Sequence, residues 1–322
     1  KKSVKKLSLY VFLVLMFCNL AQSSDRPICD RQGSDFTKWV NCFGSYTNSD
    51  GRTYIGEFGN NPGKRDGIGR SEKDNRKYIG EFKNDIISGR GIIVLSDGFM
   101  IVAEMNGSPN GYAIIKFPRK KKWFDRYFGQ VKLGLPEGNG VQIVSNGKVF
   151  RGIFKKGKLI EDQSLKDCDR NKSPKTYNNC QLVYGIVHSV DGSKYGDDPD
   201  KFKGFIYSGE FQNGLPNGFG LVISQMPNDQ RIEYVGELKN GHREGMGSLY
   251  YLDLEYEHIG QFKSEVPHGE GILRMQKDGE DKLTRFGSWN NGKEHGKGFV
   301  IDEEDPVMFR DEYNNGVRIS EN

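Results

Sequence analysis

The chain is poor in the side chains that most often do chemistry: five His, five Cys and three Trp in 322 residues. It has no C-x-x-C, no G-x-S-x-G and no glycine-rich loop of the P-loop type, so the commonest zinc, hydrolase and phosphate-cradling motifs are absent. It has no excess of one charge either. Lys+Arg number 47 against 43 Asp+Glu, but residues 1–23 hold four Lys and no acid, and the remainder carries 43 of each. Nucleic-acid binding wants a basic stripe, and nothing global supplies one. The longest apolar run, Leu7 to Leu20, is short for a membrane span.

That run belongs to a targeting segment. Lys1, Lys2, Lys5 and Lys6 precede it, and Ala21-Gln22-Ser23 places small residues at −3 and −1 of a cut. Residues 1–23 read as a secretory signal peptide, and a secreted or periplasmic location follows. An uncleaved anchor is the other reading. Cys18 follows Met16-Phe17, too bulky for a lipobox.

What the chain does have is a repeated phrase. Tyr54-Ile55-Gly56-Glu57-Phe58 returns as Tyr78-Ile79-Gly80-Glu81-Phe82, Tyr207-Ser208-Gly209-Glu210-Phe211 and Tyr234-Val235-Gly236-Glu237-Leu238. Looser copies start at Ile101, Tyr127, Phe150, His258, Phe286 and Phe309, and most starts lie 23 to 28 residues apart. A fixed period of this length predicts an array of small units. The phrase alternates with period two and reads as a strand. A turn such as Asn240-Gly241 follows, then Gly-x-Gly and a second strand, as in Gly245-Met246-Gly247. Asn-Gly tolerates positive φ and closes hairpins. Glycine weakens a strand unless something lies against the backbone; here the expected neighbour is a Tyr or Phe ring.

The pattern Tyr-x-Gly-Glu-aromatic, Asn-Gly turn, Gly-x-Gly resembles the MORN repeat family over residues 43–162 and 181–319. Two copies depart from it: Ile101-Val102-Ala103-Glu104-Met105 lacks both aromatics and the glycine, and Phe150-Arg151-Gly152-Ile153-Phe154 lacks the Glu. Packing there is expected to be looser. The resemblance implies an all-β fold, an elongated, curved, single-layer antiparallel meander of β-hairpins. It also implies a binding or scaffolding role, often near membranes.

A longer period is written in the cysteines. Cys29-Asp30-Arg31 to Cys42 matches Cys168-Asp169-Arg170 to Cys180. Two similar halves are expected, 24–166 and 167–322. Four cysteines allow three pairings; the repeated unit favours Cys29–Cys42 and Cys168–Cys180, and export favours disulfides. A four-thiolate metal site is the alternative, against which stand the spacing and the export. Each pinned loop, with Trp39 or Tyr177, is expected to cap the start of its half.

No catalytic constellation stands out. The Glu row (Glu57, Glu81, Glu104, Glu210, Glu237) repeats with the fold, whereas catalysis needs distinct roles; these Glu read as cross-strand partners of Lys or Arg. His242, His268 and His295 occupy comparable turn positions, which mostly face solvent. The acidic insertion Gly196-Asp197-Asp198-Pro199-Asp200 lacks EF-hand spacing. The chain reads as a non-enzyme with no cofactor and no metal. Its candidate binding face is the aromatic row Tyr54, Phe58, Tyr78, Phe82, Tyr127, Tyr207, Phe211 and Tyr234, with an unidentified protein as partner. One irregular cluster, Arg119, Lys120, Lys121, Lys122 and Trp123, offers a contact for an anionic membrane surface, or else a solvated turn.

Overall fold

The computed structural model describes residues 26–29, 35–118, 126–144, 147–189, 204–225, 231–277, 280–302 and 308–319. Its first sheet holds β1 (Phe43–Thr47), β2 (Thr53–Phe58), β3 (Arg65–Lys73), β4 (Arg76–Lys83), β5 (Ile86–Leu95), β6 (Met100–Asn106), β7 (Pro109–Lys116), β8 (Arg126–Lys132), β9 (Leu135–Ile143), β10 (Val149–Lys155) and β11 (Lys158–Asp162). The second holds β12 (Cys180–Ser189), β13 (Gly204–Gln212), β14 (Leu215–Gln225), β15 (Arg231–Lys239), β16 (His242–Tyr251), β17 (Tyr256–Lys263), β18 (Val266–Lys277), β19 (Glu280–Asn290), β20 (Lys293–Asp302), β21 (Met308–Asn314) and β22 (Val317–Arg318). In each sheet every strand pairs with its sequence neighbours, antiparallel throughout. The expected all-β meander of hairpins in two halves is the fold. Helix among the described residues is confined to short 3₁₀ turns such as Phe36–Lys38.

The hairpins turn where sequence chemistry demands. Asn84-Asp85 (φ 46° and 72°) and Asn240-Gly241 (φ 51° and 84°) hold both central residues at positive φ, the twist-matched turn of a two-residue hairpin. Glycine runs as a row across each sheet. In the first, Gly56, Gly69, Gly80 and Gly91 stand opposite one another in succession, continued by Ala103, Ala113, Gly129, Gly140 and Gly152. The row is bare because Tyr rings lie on it: a Cβ on Gly69 would stand 2.4 Å from Tyr54 Cε2, and one on Gly247 2.5 Å from Tyr234 Cε2. Gly236 is tighter still. Its Cβ would meet Gly247 Cα and Met246 O at 2.6 Å and Tyr234 Oη at 2.7 Å, two of them backbone atoms that cannot swing away. Gly236→Val should therefore cost about 1–3 kcal/mol by overpacking. Urea unfolding of the oxidised protein measures it, and a neutral result would assign the glycine another role.

Each half is one layer, as the repeat implies, but the layers do not stand alone. A single buried cluster draws Ile79, Ile92, Ile114, Phe128 and Val141 from the first sheet and Ile223, Val235, Ile259, Ile272 and Phe286 from the second. The sheets pack face to face, and in reverse order. Arg310 of β21 reaches Glu57 of β2, Arg90 of β5 reaches Glu270 of β18, and Arg151 of β10 reaches Glu210 of β13. The chain crosses one sheet, turns over between β11 and β12, and returns across the other. The outer faces carry the Tyr/Phe rows, packed ring against ring in two further clusters.

The cysteines pair as Cys29–Cys42 and Cys168–Cys180, with Cα atoms 4.9 and 5.0 Å apart. Both pins serve the same end. Cys29 N–H donates to the Phe43 carbonyl and Phe43 N–H to that of Pro27 in a short parallel bridge, and Cys168 N–H to Gln181 with Gln181 N–H to Lys166 repeats it. The loops thus cover the outer edges of β1 and β12, where open N–H and C=O groups would template aggregation. Trp39 stands edge-on to Phe58 and Tyr177 edge-on to Phe211, centroids 5.1 and 5.4 Å apart.

Candidate functional site

The repeated polar residues are committed to the fold. After each first glycine the register slips by a bulge, and a bulge leaves a backbone N–H without a ladder partner. The Glu of the phrase supplies one. Glu57 accepts from Ile68 N (2.9 Å), Glu81 from Arg90 N (3.1 Å), Glu210 from Phe219 N (2.6 Å) and Glu237 from Met246 N (3.2 Å). Gln130 and Gln261 do the same for Asn139 N and Glu270 N, so the position needs an acceptor and not a charge. The Tyr hydroxyl closes the bulge from the other side: Tyr54, Tyr78, Tyr127, Tyr207 and Tyr234 each donate to the carbonyl three residues on, at 2.7–2.9 Å. Expecting the Glu row simply to pair with Lys or Arg was therefore incomplete. Among the described residues only Glu57 and Glu210 of this row add such a pair, and each takes its arginine from the opposite sheet.

The aromatic row is not an open face. Tyr54, Phe58, Tyr78, Phe82, Tyr127, Tyr207, Phe211 and Tyr234 are all buried, in edge-on contacts such as Tyr54–Phe82 and Tyr207–Phe211. Burial of the ring pushes the hydroxyls of Tyr54, Tyr207 and Tyr234 well above the usual range. Regular ring area that reads as a binding surface is a core, because each ring covers the glycine backbone beside it. The cluster Arg119–Lys122 with Trp123 lies outside the described residues, as do residues 1–25 and the insertion at 196–200. The turn histidines serve their neighbours: His268 and His295 accept the backbone N–H of Asn291 and Asn315 in the next turn, and His242 pairs with Glu265. Among the described residues no group of His, Cys, Asp and Glu could hold a metal ion, and no helix is long and apolar enough to cross a membrane.

Three places break the repeat. The copy placed at Phe286 starts one residue earlier, at Arg285, because Gly287 stands opposite Gly271. Arg285 fills the Tyr slot, buried, with a two-bonded pair to Asp311 (2.9 and 3.1 Å) and its guanidinium over Trp289 and Tyr313. Burial raises the carboxyls of Asp311 and Glu294 beside it. In the preceding unit His258 fills the slot. It stands edge-on to Phe262 and Trp289, and neither ring nitrogen has a hydrogen-bond partner among the described residues. Burial alone lowers it to about 3.

The third break opens a site. Between the sheets lies a cavity of about 490 Å³, within the range of ligand pockets. Its floor is apolar: Val102, Ile114, Phe128, Phe219, Ile259 and Ile272. Beside the floor runs bare backbone at Gly91, Gly129, Gly140, Gly260 and Gly271, and the rim carries Arg90, Glu104, Tyr112, Arg151, Glu237 and Glu270. The glycine rows line it with backbone alone, because a Cβ at Gly91, Gly140 or Gly271 would point to the outer slots of Tyr78, Tyr127 and His258 and not into the gap. At its centre sit β6 and β7, the departing copy. The looser packing expected of it takes a definite form. Ala103 and Ala113 stand where glycines do elsewhere, and Glu104 is exposed, with no backbone N–H to accept. Sequence reasoning flagged the unit but named neither Glu104 as a free carboxylate nor Tyr112, 70% exposed.

Comparison with known proteins agrees with the geometry. The family model described as MORN repeat matches residues 78–100, 127–149, 207–223, 234–253 and 286–300. The chain is similar to Alsin of Homo sapiens, 24% identical over 186 residues, covering 57% of this chain and 10% of Alsin. To Alsin of Rattus norvegicus it is 35% identical over 103 residues, 31% of this chain and 6% of that protein. The chain thus spans a tenth or less of the length of these relatives. The first four matched stretches coincide with units in which the ring, the glycine pair and the bulge acceptor recur, and the chain carries repeats of the MORN type over the five stretches.

Proposed function

We propose that this chain is a non-enzymatic, exported scaffold that holds a segment of a partner protein in the trough between its two sheets. The observation that carries this reading is the hollow between the glycine rows, apolar in its floor and open along a charged rim. The remaining surfaces offer less, since the rings are consumed by the core and the repeated Glu by the bulges. Two capped halves, 24–166 and 167–322, serve as the walls. The disulfides support an oxidising compartment, in line with a signal peptide at 1–23. Absence of catalysis is supported by the commitment of repeated polar groups to structure.

The test compares cross-linked partners recovered from an envelope extract by the oxidised wild-type protein with those recovered by two plugged variants. Val102→Trp fills the floor, and Glu104→Trp plugs the exposed rim where folding is not at stake. Recovery should fall at least tenfold in both, with the thermal transition of Glu104→Trp unchanged. Equal recovery by all three proteins would place the binding surface elsewhere.

A further inference from the structure

The rim of the trough holds more acid than its ion pairs absorb. Arg90 is engaged by Glu270 across the mouth, and Arg151 by Glu210. Two carboxylates remain. Glu237 accepts only the backbone N–H of Met246, and the carboxylate of Glu104 makes neither a hydrogen bond nor an ion pair among the described residues. Glu237 is half-buried, and desolvation raises its carboxyl, an effect that Arg151, already bonded to Glu210, only partly offsets. The lining on the first sheet runs from β5 to β10, five inter-strand spacings, or about 24 Å. An extended segment of about seven residues has that length.

We infer that the occupant of the trough is an extended peptide segment that seats apolar side chains on the floor and sets a Lys or Arg against Glu104 and Glu237. This rests on the reading of the trough as the protein-binding site and adds the chemistry of the partner. An apolar plug alone would leave two carboxylates beside a desolvated surface, at a cost. A cation removes that cost, and an acidic segment adds like-charge repulsion. Tyr112 at the same rim adds an exposed ring face for a cation.

The test uses two fluorescent heptapeptides with the same apolar core, one flanked by Lys and one by Glu, titrated at low salt against the oxidised protein. The Lys-flanked peptide should bind at least tenfold more tightly, and the preference should shrink as salt screens the rim. Glu104→Gln with Glu237→Gln should erase it. That double variant keeps the fold, because Gln at the second position still accepts the bulge N–H, as Gln130 and Gln261 do. Equal affinity for the two peptides, or an undiminished preference in the double variant, overturns the inference. If both peptides bind equally and Glu104→Trp blocks them, the protein-binding reading survives and only the cationic partner falls. If dodecylamine binds and neither peptide does, both readings fall in favour of a small amphipathic ligand. Failure of all three probes overturns the inference as well.

Discussion

Glu257→Gln will destabilise the protein by about 3–5 kcal/mol, the cost of removing one member of a buried ion cluster. Glu257 is fully buried and receives Lys116 at 2.8 Å, Arg274 at 3.2 Å, Arg126 at 3.4 Å and the Ser248 hydroxyl at 2.9 Å. Lys116 and Arg126 belong to the first sheet, Glu257 and Arg274 to the second, so one carboxylate fastens the layers. The three cations hold its carboxyl well below the usual range, against the opposing effect of burial. Burial leaves Lys116 lowered to about 8 even with that carboxylate beside it. The amide keeps shape and volume but removes the charge that offsets three buried cations. Urea unfolding at pH 7 should show the loss as a lower midpoint. A loss below about 1 kcal/mol would mean that the shared apolar core alone holds the sheets together.

The second large effect depends on pH. His258 is neutral in the fold and lowered to about 3 by burial, against an ordinary value of 6.5. The unfolded chain takes a proton below pH 6.5 that the folded chain refuses. Stability is therefore full above 6.5 and is lost progressively as pH falls towards 3, by roughly 1.4 kcal/mol per pH unit. Glu237, Glu294 and Asp311, raised by burial, take up protons in the fold and pull the other way above about pH 4. Comparison with His258→Phe removes these shared terms. Phe keeps the ring in its slot and buries no unpartnered nitrogen, so the variant should match or exceed wild type by about 1 kcal/mol at pH 8. Its advantage should widen steadily below pH 6.5. Parallel stability curves from pH 8 to 4.5 would show that His258 is protonated, or reached by water, in the fold.

The hairpins, the turns and the edge-capping disulfides were legible because each depends on neighbours in sequence. Tyr54 and Gly69 sit on adjacent strands, and so do Glu57 and Ile68; the period exposes all of them. The second layer was not legible from the period, although a signal for it existed. The position after each Tyr is Ile55, Ile79, Val102, Phe128, Val235, Ile259 or Phe286. A sheet with one wet face would put polar residues there, whereas strands apolar on both faces are covered on both. The polar exceptions, Arg151, Ser208 and Arg310, fall near sheet edges, and the two arginines are the ones that cross to the opposite layer. The trough escaped notice for a related reason. Its lining comes from two sheets formed by distant parts of the chain, and no local pattern encodes a hollow.

The reversed stacking has a consequence for how the molecule assembles. Every strand pairing joins adjacent segments, so each sheet can zip up hairpin by hairpin with short loops to close. The contacts between sheets differ in reach: Arg151 and Glu210 are 59 residues apart, Arg310 and Glu57 are 253. Two doublings of loop length add about 1.2 kcal/mol of closure entropy if the far pair must meet first, and almost none if the near pair meets first. The two sheets should come together like a book shutting from its spine at the β11–β12 connection, with Glu257 and its cations locking midway and the free edge, at β2 and β21, last to close and first to gape.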